Sequence, residues 1–145
     1  YRNLIKIVSA GYITGYYYKP RIDKDVLREH SEGIIALSAC LAGNVQHKLL
    51  MGDYEGAKAE AAELLEIFGK GNFYIEMQDQ GLEEEARINP QLLEISRQLD
   101  IPVVATNDVH YVRKCCWPSR RPPASMTKTG CASPTTSSIS RAKPK

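Results

Sequence analysis

The sequence predicts an α/β fold, a parallel sheet with helices packed on its outside. Short apolar runs at Ile34-Ile35-Ala36-Leu37, Phe73–Met77 and Ile101-Pro102-Val103-Val104 have the length and composition of buried strands. The stretches between them repeat apolar residues at helical spacing. Strands alternating with helices in this order pair in parallel. Three parallel strands are therefore expected near 34–38, 73–78 and 101–106.

In chain order, Leu4, Ile5, Ile7, Val8 and Ala10 form a short helix over Arg2 to Tyr12, which Gly11 and Gly15 are expected to break. The cluster Tyr16-Tyr17-Tyr18-Lys19-Pro20-Arg21-Ile22-Asp23 reads as a loop. It either offers Lys19 and Arg21 to phosphate, with tyrosines for stacking, or packs on the core with its cations solvated. Asp23 N-caps a helix with Val26 and Leu27 inward and Arg28, Glu29 and His30 outward. After the first strand, a Gly43-Asn44 break leads into a helix over Val45–Met51 with His47 exposed. Asp53 opens a longer helix whose stripe is Ala57, Ala61, Leu64, Leu65 and Phe68, with Glu55, Lys58, Glu60, Glu63 and Glu66 as a solvated face. Gly69 and Gly71 end it. Asn89-Pro90 marks the start of the next helix, with Leu92, Leu93, Ile95 and Leu99 inward.

The apolar content of 43% and charged content of 25% are those of a soluble globular protein, and 145 residues suffice for one domain. No run approaches the roughly 18 apolar residues of a membrane span, so no membrane partner is expected. Tyr1-Arg2-Asn3 is neither a start methionine nor a signal peptide, and the chain is expected to continue upstream. The net charge of +2 is uneven: residues 115–145 hold six of the 19 Lys and Arg and none of the 17 Asp and Glu. Residues 1–114 are left with 13 basic and 17 acidic side chains, so the basic balance says little about the folded part. Of the four cysteines only Cys40 lies in the body, which argues against a disulfide framework and fits a reducing cytoplasm.

In parallel α/β folds chemistry gathers at the C-terminal strand ends. Here those ends carry Cys40, then Gln78 and Gln80, then Asp108 and His110. Asp108 and His110 are two apart, so on a strand they point the same way, and a carboxylate with an imidazole suits a divalent cation. Taken singly each has a plainer reading: a strand end capped by turn-forming residues, and a small buried cysteine. Three strands bringing such residues to one rim favours the metal site.

Several blocks carry a resemblance: Tyr1-Arg2-Asn3-Leu4-Ile5-Lys6, Tyr17-Tyr18-Lys19-Pro20-Arg21-Ile22-Asp23, Ile35-Ala36-Leu37-Ser38-Ala39-Cys40-Leu41 and Val104–Tyr111. Collinear over residues 1–114, they resemble the polymerase-and-histidinol-phosphatase (PHP) domain of bacterial replicative DNA polymerase III alpha subunits. The resemblance implies that residues 1–114 are a partial PHP domain, the later part of a distorted seven-stranded β/α barrel. It implies that Cys40, Asp108 and His110 are metal ligands, with the family's other ligands, including a His-x-His, falling before Tyr1. Where the family often has His, this chain has Gln80. Residues 115–145 depart from the family. Fifteen of these 31 residues are Ser, Thr or Pro, which fits a disordered tail. Read one base out of frame with permissive codons, the same segment resembles the family's continuation, and a frame-shifted or mis-joined reading frame is the favoured explanation.

The resemblance further implies a cytoplasmic bacterial protein of DNA replication, with DNA and other replicative polymerase subunits as partners. The intact parent would be a DNA-directed DNA polymerase and hold zinc, manganese or magnesium, with possible 3′–5′ exonuclease or phosphoesterase action. This fragment would be inactive and retain no metal. The alternatives are a metal-free platform for the polymerase or its proofreading partner, and a stand-alone phosphatase of the same superfamily.

Overall fold

A computed structural model describes residues 1–107. Asp108, His110 and the segment 115–145, on which several expectations rest, lie outside the described residues. The described chain is a mixed α/β structure with five helices, a two-stranded antiparallel hairpin and a three-stranded parallel sheet.

Helix α1 spans Arg2–Ile13 and runs through Gly11 instead of stopping there. Gly11 is buried, and a Cβ on it would meet Ile22 Cγ2 at 3.3 Å and the Arg21 carbonyl oxygen at 3.4 Å. The glycine is there for close packing and not to break the helix. The expected tyrosine loop is a hairpin: β1 (Tyr16–Tyr17) pairs antiparallel with β2 (Lys19–Pro20) around Tyr18, which takes a left-handed φ of 58°. Helix α2 (Lys24–His30) is capped as expected, the Val26 amide donating to Asp23 Oδ1 at 2.9 Å.

Of the run at 34–37 only Ala36–Leu37 forms strand β3, and Ile35 is 67% exposed. Helix α3 (Asn44–Leu50) leaves His47 exposed, and α4 (Tyr54–Phe68) is capped by Asp53. Strands β4 (Phe73–Gln78) and β5 (Val103–Thr106) complete a sheet of order β3-β4-β5. Both pairings are parallel, Ala36 opposite Phe73 and Ile75 opposite Val103. Helix α5 spans Glu83–Leu99, beginning well before Asn89-Pro90. Three glutamates in its first turn complement the positive end of the helix, and Pro90 is carried inside it. Leu93, expected inward, is exposed, and Ile88 takes a place in the core.

Alternation along β4 divides the sheet into two faces. Phe73 and Ile75 are fully buried in a core with Val45, Ala57, Ala61, Ile88, Leu92 and Ile95 of the helices. On the other face Tyr74 and Glu76 are half-buried and Leu37 is exposed. Of the charged face of α4, Glu60 is buried instead of solvated. It accepts hydrogen bonds from Asn44 at 3.1 Å and Lys48 at 3.3 Å and meets Lys24 at 2.9 Å.

Candidate functional site

Because the three strands run parallel, the segments leaving β3, β4 and β5 emerge at one edge of the sheet. Cys40 stands just past the end of β3, half-buried and with a free thiol. It lines a shallow pocket with Gln46, Glu76, Gln78, Glu85 and Asn89. Asp108 and His110 follow β5 in sequence and lie outside the described residues. No group of three or more His, Cys, Asp or Glu suited to a metal occurs among the described residues.

Hydrogen bonds tie the three exits together. Gln46 is 2% exposed and its Nε2 donates to Ser38 Oγ at 2.7 Å and the Ala39 carbonyl at 2.8 Å. The Glu76 amide donates to the same Ser38 hydroxyl at 2.9 Å, joining the first exit to β4. Between β4 and β5, the Thr106 hydroxyl donates to Glu76 Oε1, and Gln78 Nε2 reaches both that oxygen and Thr106 Oγ1 at 3.3 Å. Gln80 Nε2 donates to the Asn107 carbonyl at 3.1 Å, and the Gln80 backbone N–H donates to Glu85 Oε2 at 2.7 Å. Gln78 and Gln80 thus act as struts between strand exits.

Lys19 and Arg21 are exposed on the hairpin side of the molecule. Arg21 lies 5.8 Å from the ring centre of Tyr17 and borders a hollow with Ala10, Thr14, Gly15, Ile22, Asp23 and Val26. That hollow shares no residue with the pocket at Cys40, so the candidate phosphate residues and the candidate ligand are separate features.

Residues 1–80 match the family described as the PHP domain. The chain belongs to the PHP-domain family. Over 114 residues, 79% of its length, it is 47% identical to DNA polymerase III subunit alpha of Treponema pallidum. Over the same length it is 49% identical to the Deinococcus radiodurans protein of that name and 46% to the Thermus aquaticus one. The chain spans only 8–10% of the length of these relatives.

Sequence reasoning singled out Cys40, Gln78 and Gln80 but missed Ser38, Gln46, Glu76 and Glu85. The available signal for Glu76 was a lone charge inside an otherwise apolar strand. Gln46 gave none, because a glutamine near a helix start is ordinary on a surface. No helix among the described residues is long and apolar enough to cross a membrane.

Proposed function

We propose that residues 1–114 serve as part of the PHP domain of a replicative DNA polymerase of the alpha-subunit type, in the bacterial cytoplasm, with DNA and other polymerase subunits as partners. The observation that carries this reading is the near-half identity to alpha subunits across the whole segment bearing the strand exits. In the larger protein the three parallel strands would belong to the distorted seven-stranded barrel, and residues 115–145 would lie outside the PHP domain.

A divalent cation fits the donor chemistry at the rim. Cys40 offers a half-buried thiol beside polar neighbours, and zinc takes sulfur, imidazole and carboxylate ligands. Cys40, Asp108 and His110 would hold it, together with ligands from elsewhere in the polymerase. Such a metal supplies an activated water for phosphodiester hydrolysis at a DNA 3′ end. Lys19 and Arg21 would contact phosphate at a distance from that centre. A second reading, a platform without metal, draws on Gln80, whose amide is committed to the Asn107 carbonyl.

The test is a chimaera in which residues 1–114 replace the aligned segment of the Thermus aquaticus alpha subunit. Expected are DNA synthesis and bound metal that falls when Cys40, Asp108 or His110 is changed to Ala. A soluble, active chimaera whose metal content ignores all three substitutions would overturn the ligand assignment and favour the platform.

A further inference from the structure

The turn that presents Cys40 is held by one buried side chain. Ala39 sits at a left-handed φ of 67°, a conformation that costs a non-glycine residue on the order of 1–2 kcal/mol. Something must compensate for that conformation. The Gln46 side-chain amide reaches the Ala39 carbonyl at 2.8 Å, Ser38 Oγ at 2.7 Å and the Glu76 carbonyl at 3.3 Å. Two of these partners are carbonyls, which only accept, so the NH2 end must face them and the orientation of the amide is fixed. Its Oε1 is then buried with no partner among the described residues, a cost accepted for the sake of the NH2 contacts.

The far side of the turn is equally constrained. The Gly43 amide donates to the Cys40 carbonyl at 2.8 Å. A Cβ on Gly43 would lie 2.2 Å from the Ser38 carbonyl oxygen and 3.0 Å from Gln46 Oε1, so the turn closes only around glycine. Cys40 is therefore fixed through the carbonyl before it by Gln46 and through its own carbonyl by Gly43. The same Gln46 amide also reaches β4, which refers the turn to the sheet.

We infer that Gln46 is the positioning residue of the Cys40 turn, setting where the thiol stands on the rim through the Ala39 carbonyl and the Ser38 hydroxyl. The inference rests on the metal reading only for its purpose, and the geometry stands without it. Gln46 touches no reacting group in this role. It acts through the backbone on either side of Cys40.

The test compares the 145-residue chain with Gln46→Met, which keeps length and apolar bulk but has no donor. Amide hydrogen exchange, read peptide by peptide, should accelerate about tenfold or more over residues 38–43, as expected for the loss of at least one buried hydrogen bond. Exchange in α4 should stay within about twofold. Gln46→Glu should behave like Gln46→Met at neutral pH, because a carboxylate cannot donate to Ala39. Equal acceleration in α4 and in residues 38–43 would mean that Gln46 only supports the core, and unchanged exchange over 38–43 would also overturn the inference. Metal content of the chimaera carrying Gln46→Met is read separately. A fall accompanied by loosened exchange shows that the turn serves the metal, whereas loosened exchange in a chimaera that never binds metal leaves the clamp standing and removes the metal reading.

Discussion

The Glu60 carboxylate and the Lys24 ammonium meet at 2.9 Å although 36 residues separate them, and Glu60 is only 5% exposed. This contact fastens α2 to α4, with Lys24 also meeting Glu63 at 2.6 Å and Arg28 meeting Glu63 at 2.5 Å. A buried charge without partners is far costlier than a paired one. Glu60→Ala should leave Lys24 and Lys48 short of a buried acceptor and lower unfolding free energy by about 1–3 kcal/mol, below the range for a fully buried pair because both lysines keep some solvent. Urea denaturation measures it, and a loss below about 0.5 kcal/mol, the scale of an ordinary surface change, would place Glu60 among the solvated charges after all.

The same cluster sets a pH dependence. Burial pushes the Glu60 carboxyl up, but hydrogen bonds from Lys24, Asn44 and Lys48 outweigh it and hold the group below its ordinary value. The hydrogen bond from Lys24, aided by its charge and by Arg28, lowers Glu63 as well. Depressed carboxylates give stability that is complete above their unfolded pKa of about 4.3 and is lost as pH falls through the folded values. Lys24, raised chiefly by its hydrogen bond to Glu63, gives stability that is complete below the ordinary lysine pKa of about 10.4 and fades as pH rises through its folded value. The urea midpoint should therefore fall on acidification from pH 5 to pH 3, and less steeply in Glu60→Gln than in the unaltered chain. Parallel curves for the two proteins would remove Glu60 from the acid response.

These contacts show what periodicity reveals and what it hides. The stripe of Ala57, Ala61 and Phe68 was legible because burial repeats every three to four residues along one helix. Glu60 lies on the same helix, and its charge alone placed it in water, because its partner Lys24 sits on another element. Gly11 was misread for a similar reason, since what it accommodates is the distant Arg21 carbonyl and the Ile22 side chain. The α5 start was hidden by Asn89, whose side chain serves the Gln78 carbonyl at 3.0 Å instead of capping a helix. At the site, Cys40 could be picked out because strand ends and thiols are visible in sequence. The struts that hold the exits together join residues up to 38 apart, as Ser38 and Glu76 do, and no local pattern announces them.

Ser38→Ala tests one such strut. The hydroxyl of Ser38, a residue 5% exposed, accepts from both the Glu76 amide and Gln46, so its removal leaves the part-buried Glu76 amide without that acceptor and Gln46 with only its two carbonyl partners. The expected loss is about 1–3 kcal/mol. A thermal melt indistinguishable from the unaltered chain would mean that water replaces the hydroxyl at no cost.

Gly43→Ala and Gly33→Ala separate steric closure from backbone strain. Gly33 has a φ of 72° with nothing among the described residues within 4 Å of an added Cβ, so alanine there meets strain alone, on the order of 1 kcal/mol. At Gly43 the added carbon would collide with the Ser38 carbonyl, and relief requires moving the turn that carries Cys40. Gly43→Ala should cost more, about 2 kcal/mol or above, by the scale of overpacking in a tight site. Equal losses at the two positions would show that the 38–43 turn yields freely and is not a rigid presenter of the thiol.

The 145-residue chain is expected to release no nucleotide from a DNA 3′ end above the buffer rate, with zinc, manganese or magnesium added. Its candidate ligands are Cys40, Asp108 and His110, and catalytic zinc sites use about three protein ligands for a single ion. A group of metals able both to activate water and to stabilise the pentacoordinate phosphorus needs more donors than these. No polymerisation is expected either, since the similarity to alpha subunits is confined to about a tenth of their length. A labelled primer with a recessed 3′ end reports both reactions in one gel. Shortening of the primer that disappears in Asp108→Ala and in His110→Ala would show that the three donors of this chain make a working centre without the rest of a polymerase.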